Sequence, residues 1–278
     1  MTFAVVRLCA MQELTLAIRA RATQIFAALF AMLSLGVAAS GYILSGGSGI
    51  QDFARTATSL TELVLFIVPL MALLVGTTAL STDRGAAEML FSQPVARHAI
   101  LWGKLVGLFC ALVAAQAIGF GASGLIIFSQ SGQEGVSAFL IVALASIALT
   151  AVSLSAAALI AGAAVGRRRT RALAGAVTTW FTAVVLYDVV ALGVASLLRS
   201  GPASRLLIIA TLSNPVDAMR TGVLLAIQGT TAFGSASLAL LRFTGGPTRA
   251  IAMITASAIF WAIVPALAAA RRLDRADL

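Results

Sequence analysis

Six mostly apolar stretches, roughly 23–44, 58–80, 105–128, 137–165, 172–198 and 250–270, dominate this chain of 278 residues. A helix needs about 20 apolar residues to cross the hydrocarbon core of a bilayer, so each stretch is long enough to span. Composition agrees: 60% of residues are apolar even with the 24 glycines left out, and only 10% are charged. Soluble domains reach about 45–50% apolar with glycine counted, and about a quarter of their residues are charged. One or two soluble domains could not bury so much apolar surface. A soluble enzyme, a disordered chain and a disulfide scaffold are excluded. The expected fold class is an all-α, polytopic membrane protein forming a single transmembrane domain over residues 1–278. Pro69 predicts a kink in the second span. The fourth and fifth stretches exceed the need and predict tilt or extension beyond the membrane.

The net charge of +9 would suggest nucleic acid in a soluble chain, but these charges flank apolar runs, where they set orientation. Arg7, Arg19, Arg21, Arg84, Arg97, Lys104, Arg167, Arg168, Arg169, Arg171, Arg271, Arg272 and Arg275 fall on one side of a six-span topology. Of the remaining six basic residues, five lie in the long 199–249 segment, where the rule is weak. Both termini are therefore expected in the cytoplasm, with lipid and no nucleic acid as the surroundings. No cleavable signal peptide is expected, because the first apolar run starts about 22 residues in. Cys9 and Cys110 are too far apart, in settings too different, to predict a disulfide or a metal site.

Two segments outside the spans are structured by pattern. In the first twenty residues Leu8, Met11, Leu14 and Ile18 recur at helical spacing, with Arg7, Glu13, Arg19 and Arg21 offset, predicting a helix lying on the membrane surface. In 199–249, Asn214 caps a helix whose first residue is Pro215, and Asp217 and Arg220 sit three apart on one face. The segment reads as interfacial or partly re-entrant helices on the outer side. A seventh span would put the tail outside, against the arginine count.

Several chemistries are absent or fail. No G-x-x-x-x-G-K-[ST] exists, so any ATP-driven role requires a separate subunit. Gly119-Phe120-Gly121-Ala122-Ser123-Gly124 spells a dinucleotide fingerprint but lies inside an apolar span with no strand before it. Its Gly-Ala-Ser-Gly resembles the nucleophile motif of rhomboid proteases, which need a histidine within bonding reach. His98, the single histidine, stands 25 residues away, about 37 Å at helical rise. The glycines are expected to permit close helix packing. The seven methionines are scattered, which argues against a metal conduit. Asp188, beside Tyr187, is the one acid well inside a span. At about 2.5–3.5 kcal/mol for insertion it calls either for a functional role or for a partner on a neighbouring helix.

The segment between the second and third spans is the most informative. Residues 83–92 predict a short helix carrying Met89, Leu90 and Phe91 and ending before Pro94, a shape suited to docking in a cleft of a soluble partner. Asp83, Gly85, Leu90, Pro94, Arg97, Ile100, Leu101, Gly103 and Lys104 resemble the corresponding loop of ABC-2 type transporter permeases. Gln12-Glu13-Leu14 with Arg19 and Arg21 resembles that family's N-terminal elbow helix. Ala86 stands where a threonine is usual, and the acidic cluster before Gly85 is reduced to Asp83. Tyr187-Asp188 and Asn214-Pro215-x-Asp217 with Arg220 are most similar to the permeases of nitrous oxide reductase maturation transporters.

The resemblance implies a type V exporter-like architecture and a homodimer in the bacterial inner membrane, joined by two copies of a cytoplasmic ABC ATPase. ATP and magnesium would be held by that ATPase, with no cofactor or metal on this chain. It implies ATPase coupling through Asp83, Gly85, Glu88, Pro94, Arg97 and Lys104 and through elbow residues Glu13, Arg19 and Arg21. It also implies a periplasmic copper-handling partner, for which Asn214, Pro215, Asp217 and Arg220 are the expected contacts, and a role in assembling copper–sulfur centres. An exporter of drugs, polysaccharide or ions in the same family is the alternative. An ion-coupled secondary transporter would show inverted repeats and several buried ionisable groups, and neither is evident.

Overall fold

The computed structural model describes residues 2–43, 50–81, 96–131, 134–163, 169–228, 241 and 243–275. Its helices are α1 (Thr2–Arg19), α2 (Arg21–Ile43), α3 (Ile50–Leu80), α4 (Arg97–Ser131) and α5 (Glu134–Ala163). They continue with α6 (Arg169–Phe181), a π-helical turn (Thr182–Leu186), α7 (Tyr187–Ser196), α8 (Ser200–Ser213), α9 (Pro215–Gln228) and α10 (Pro247–Asp274). Among the described residues there is no strand, and six segments are long and apolar enough to span a membrane. α6, the π turn and α7 together make the fifth. The helices outrun the expected spans by a few residues at most ends, because polar flanks such as Arg97–Lys104 continue the helix beyond the apolar run. α3 runs unbroken through Pro69.

α5 is the centre of the bundle, packed against α3, α4, α9 and α10, while α2 lies against α3 and α4. Leu60, Leu65, Leu108, Leu112 and Leu149 are among its largest fully buried side chains. Polar side chains also join helices here, where no water competes for them. Gln116 of α4 donates through Nε2 to Thr150 Oγ1 of α5 (2.7 Å), and its Oε1 accepts from Ser146 (2.6 Å). The glycine run does serve packing at two of its three positions. A Cβ on Gly119 would come within 2.5 Å of the Phe30 ring, and one on Gly124 within 3.2 Å of Phe139, whereas Gly121 faces open space. Buried Ser123 donates to its own helix at Gly119 O (3.0 Å), as a helical serine does. His98 pairs instead with Asp274.

The elbow helix α1 seats along α4 because two glycines, one turn apart, remove the side chains that would hold it off. A Cβ on Gly103 would lie 2.5 Å from Cys9 Cβ, and one on Gly107 would lie 2.5 Å from Ala10 O. This small-xxx-small spacing lets two backbones approach closely. The apolar residues of the expected stripe divide accordingly: Leu8, Met11 and Ile18 are exposed, Leu14 packs against the core, and Glu13 and Ala17 turn inward. An exposed apolar stripe on a helix beside a membrane bundle suits lipid contact. Substituting Gly107→Leu forces overpacking, which costs roughly 1–3 kcal/mol. It is expected to lower the unfolding temperature and to speed tryptic cleavage at Arg19. Gly121→Leu, made in open space, is expected to change neither.

Candidate functional site

The polar residues singled out from sequence in the second half of the chain converge on one place, a helical hairpin packed into the bundle. α8 folds back along α7 and ends beside Tyr187, and α9 then runs outward again. A helix that ends among apolar spans leaves its last carbonyls without partners, and each lost bond there costs several kcal/mol. Side chains from the spans meet this need. Tyr187 donates its hydroxyl to Ala210 O (3.1 Å), Ser257 donates to Leu212 O (2.7 Å), and Trp261 Nε1 donates to Ser213 O (2.9 Å).

Asn214 makes the turn itself. Its backbone is extended (φ −97°, ψ 117°), which ends α8. Its Oδ1 accepts from Val216 N (3.1 Å), the side-chain cap expected of it, while Pro215 has no N–H to satisfy. Its Nδ2 reaches Asp217 Oδ2 (2.8 Å) and Ala183 O (2.7 Å). That second bond accounts for the π turn. A π turn displaces one carbonyl from the helical ladder, and in a span a neighbouring group must take it up. Here the hairpin does so.

α9 carries the ionic centre. Arg220 Nη1 lies 2.7 Å from Asp188 Oδ2 and 3.6 Å from Asp217 Oδ1, and Arg220 Nε lies 3.3 Å from Glu62 Oε1. One guanidinium thus ties α9 to α3 and α7. Its side chain keeps only 23% exposure, so these pairs are screened less than surface ones. The pairing of Asp217 with Arg220 follows from their spacing, and Asp188 has its partner on a neighbouring helix. Glu62 is the residue that sequence reasoning missed as part of the site. An acid inside an apolar run implies a cation, but no local spacing links positions 62 and 220.

The other expected site residues lie at the opposite end. Lys104 Nζ donates to Ala79 O at the close of α3 (3.2 Å) and stands 3.9 Å from Glu13. It braces α1, α3 and α4 together. Burial pushes the Glu13 carboxyl above the usual glutamate range, and the Lys104 charge opposes that. Arg97 donates through Nη1 to Leu273 O (3.2 Å), satisfying a carbonyl at the C-terminus of α10. Arg19 and Arg21 are exposed at the junction of α1 and α2. Asp83, Gly85, Glu88 and Pro94, with the short helix expected over 83–92, fall outside the described residues. No group of three or more His, Cys, Asp or Glu side chains suited to hold a metal occurs among the described residues.

Removing one partner of a buried ion pair costs about 3–5 kcal/mol, because the others stay buried and unpaired. Arg220→Leu is therefore expected near the lower end of that range, given its partial exposure. Asp188→Asn, which leaves Arg220 with Glu62 and Asp217, is expected to cost less. Thermal unfolding in lipid nanodiscs checks the order. The double variant should lose less than the sum of the singles, since both remove one interaction.

Residues 7–278 match the family described as "ABC-2 family transporter protein". The chain is 31% identical over 216 residues to a "Probable ABC transporter permease protein NosY" of Pseudomonas aeruginosa, covering 76% of this chain and 78% of that one. It is also 31% identical over 235 residues to a protein of the same description from Stutzerimonas stutzeri, covering 82% and 83%. Six spans, an elbow helix and near-complete coverage agree, and the chain belongs to the ABC-2 family as a membrane-spanning permease subunit of an ABC transporter.

Proposed function

We propose that this subunit couples ATP hydrolysis by a separate cytoplasmic ABC ATPase to work on the periplasmic side of the bacterial inner membrane, in assembly of the copper–sulfur centres of nitrous oxide reductase. The single observation that carries the mechanical part is the placement of α3. At one end its Ala79 carbonyl is held by Lys104, which also faces the elbow helix. At the other end its Glu62 meets Arg220 of the hairpin. The seventeen residue steps from Glu62 to Ala79 cover about 26 Å at helical rise. A displacement imposed by the ATPase at the elbow and the 83–97 loop passes along one continuous helix to an ion pair, and from there to α9. In this reading the hairpin, seated or displaced, is the two-state element on which that chain acts.

The substrate-related part rests on the likeness to the two NosY permeases and on the Tyr187-Asp188 and Asn214-Pro215-x-Asp217 matches. In this reading both termini are cytoplasmic and the hairpin faces a periplasmic copper-handling partner. The permease works as a homodimer with two ATPases, which hold the ATP and magnesium. The fifth span supports the homodimer. Only 6% of its most apolar stretch is buried, against 50% in the second, third and fourth. A second copy packed on this span would cover Val189, Leu192 and their neighbours, which are exposed.

The test is co-purification with a cognate cytoplasmic ABC ATPase, read together with maturation of nitrous oxide reductase. Charge reversal at Asp83, Glu88 and Arg97 together is expected to abolish ATPase capture, and retention of the ATPase would count against that docking site. Arg220→Leu is expected to keep the ATPase bound and hydrolysing while nitrous oxide reductase accumulates without its full copper. Full copper loading in that variant sinks the coupling route.

A further inference from the structure

Below the hairpin turn, between α3, α5, the π turn and α10, lies a cavity of about 350 Å³. Such a volume falls within the range of small-molecule sites. Leu73, Val152, Ala156 and Val184 give it an apolar wall, and none of the described residues lining it is charged. This is notable because Asn214, which lines the cavity, bonds directly to Asp217 of the ionic centre. The charges are turned away from the cavity, and what faces it is weakly polar.

The aromatic residues are arranged to stay in place. The indoles of Trp180 and Trp261 both line the cavity, and both have their N–H bonds committed elsewhere, to Phe66 O (3.0 Å) and Ser213 O (2.9 Å). Two rings anchored at their polar ends leave their apolar faces for an occupant. Thr178, Thr182 and Tyr187 supply hydroxyls on the side of the π turn, a feature that concentrates at functional sites.

A second, largely open depression of about 540 Å³ is bounded by Tyr187, Leu198, Pro202, Arg205 and Ile209. The two cavities share Tyr187 and Ser213 in their walls. The two hydroxyls stand 3.0 Å apart, within hydrogen-bonding distance, in the wall common to both.

We propose that the cavity beside the π turn binds a small, uncharged, largely apolar molecule drawn from the bilayer, and that the Tyr187–Ser213 bond separates it from the outer cavity. The chemistry follows from the wall: an ion would enter a low-dielectric space with no countercharge, whereas an apolar body with one hydroxyl-bonding group finds both kinds of contact. Binding needs no ATPase, so its outcome is independent of the coupling role.

The experiment uses the whole chain in nanodiscs, with bromohexanol as an uncharged heavy-atom quencher of tryptophan. The Trp102→Phe protein keeps only the two cavity indoles, and the Trp180→Phe/Trp261→Phe protein keeps only Trp102. Saturable quenching is expected in the first and simple linear partitioning in the second. Linear quenching in both overturns the site. Ala156→Phe, or Ala183→Leu should the first not fold, is expected to remove the saturable component, and its survival in a folded variant relocates binding and overturns the assignment. Bromohexanoate at neutral pH is expected to show no saturation, and equal saturation overturns the uncharged class. Adding Tyr187→Phe to the Trp102→Phe protein is expected to at least double quenching by aqueous acrylamide, and an unchanged value overturns the partition.

Discussion

A single guanidinium holds one end of this helical bundle together. Arg220 draws acids from α3, α7 and its own helix into one cluster. The hairpin can therefore sit among apolar spans only while its charges and its free backbone groups are all answered. Everything nearby follows from that demand. The turn needs Asn214 because a side chain must cap α9, and the same side chain occupies the carbonyl displaced by the π turn. α10 presents Ser257 and Trp261 because α8 ends where water is absent. In a soluble protein each of these groups could turn to solvent. Here neighbouring helices take that place, which makes the hairpin conditional on the position of three spans at once.

The opposite end works on different physics. The elbow helix is held by the absence of side chains, at Gly103 and Gly107, and by Lys104 reaching across three helices. The match of Gly103 and Lys104 to the family loop thereby acquires a structural cause. The glycine admits the elbow, and the lysine ties it to the end of α3. Close backbone packing transmits displacement well because dense contacts compress little, so the elbow and α4 form one stiff lever.

Legibility in the sequence tracked how local each interaction is. The spans were readable because length and apolarity act within one segment. The cap at Asn214, the pair Asp217–Arg220 and the N-terminal helix were readable because helical spacing is local geometry. Asp188 showed as an anomaly without an address, since its partner lies 32 residues along the chain. Glu62 lies 158 residues from Arg220, and no spacing rule reaches so far. The π turn within 182–186 was equally silent, because its stabilising contact comes from Asn214, outside the segment. Of the stripe Leu8, Met11, Leu14 and Ile18, Leu14 packs against the core and the other three stand exposed. The inward turn of Glu13 depends on Lys104, from another helix, and on the space left by Gly107.

The separation between Glu62 and Arg220 also sets an order of events during synthesis. At roughly 5–20 residues per second, position 220 is made about 8–30 s after position 62. Through that interval Glu62, and later Asp188, are in place before the arginine they meet in the finished structure. The arginine that joins the second and fifth spans to the hairpin is also the last made of the four charged residues that meet there.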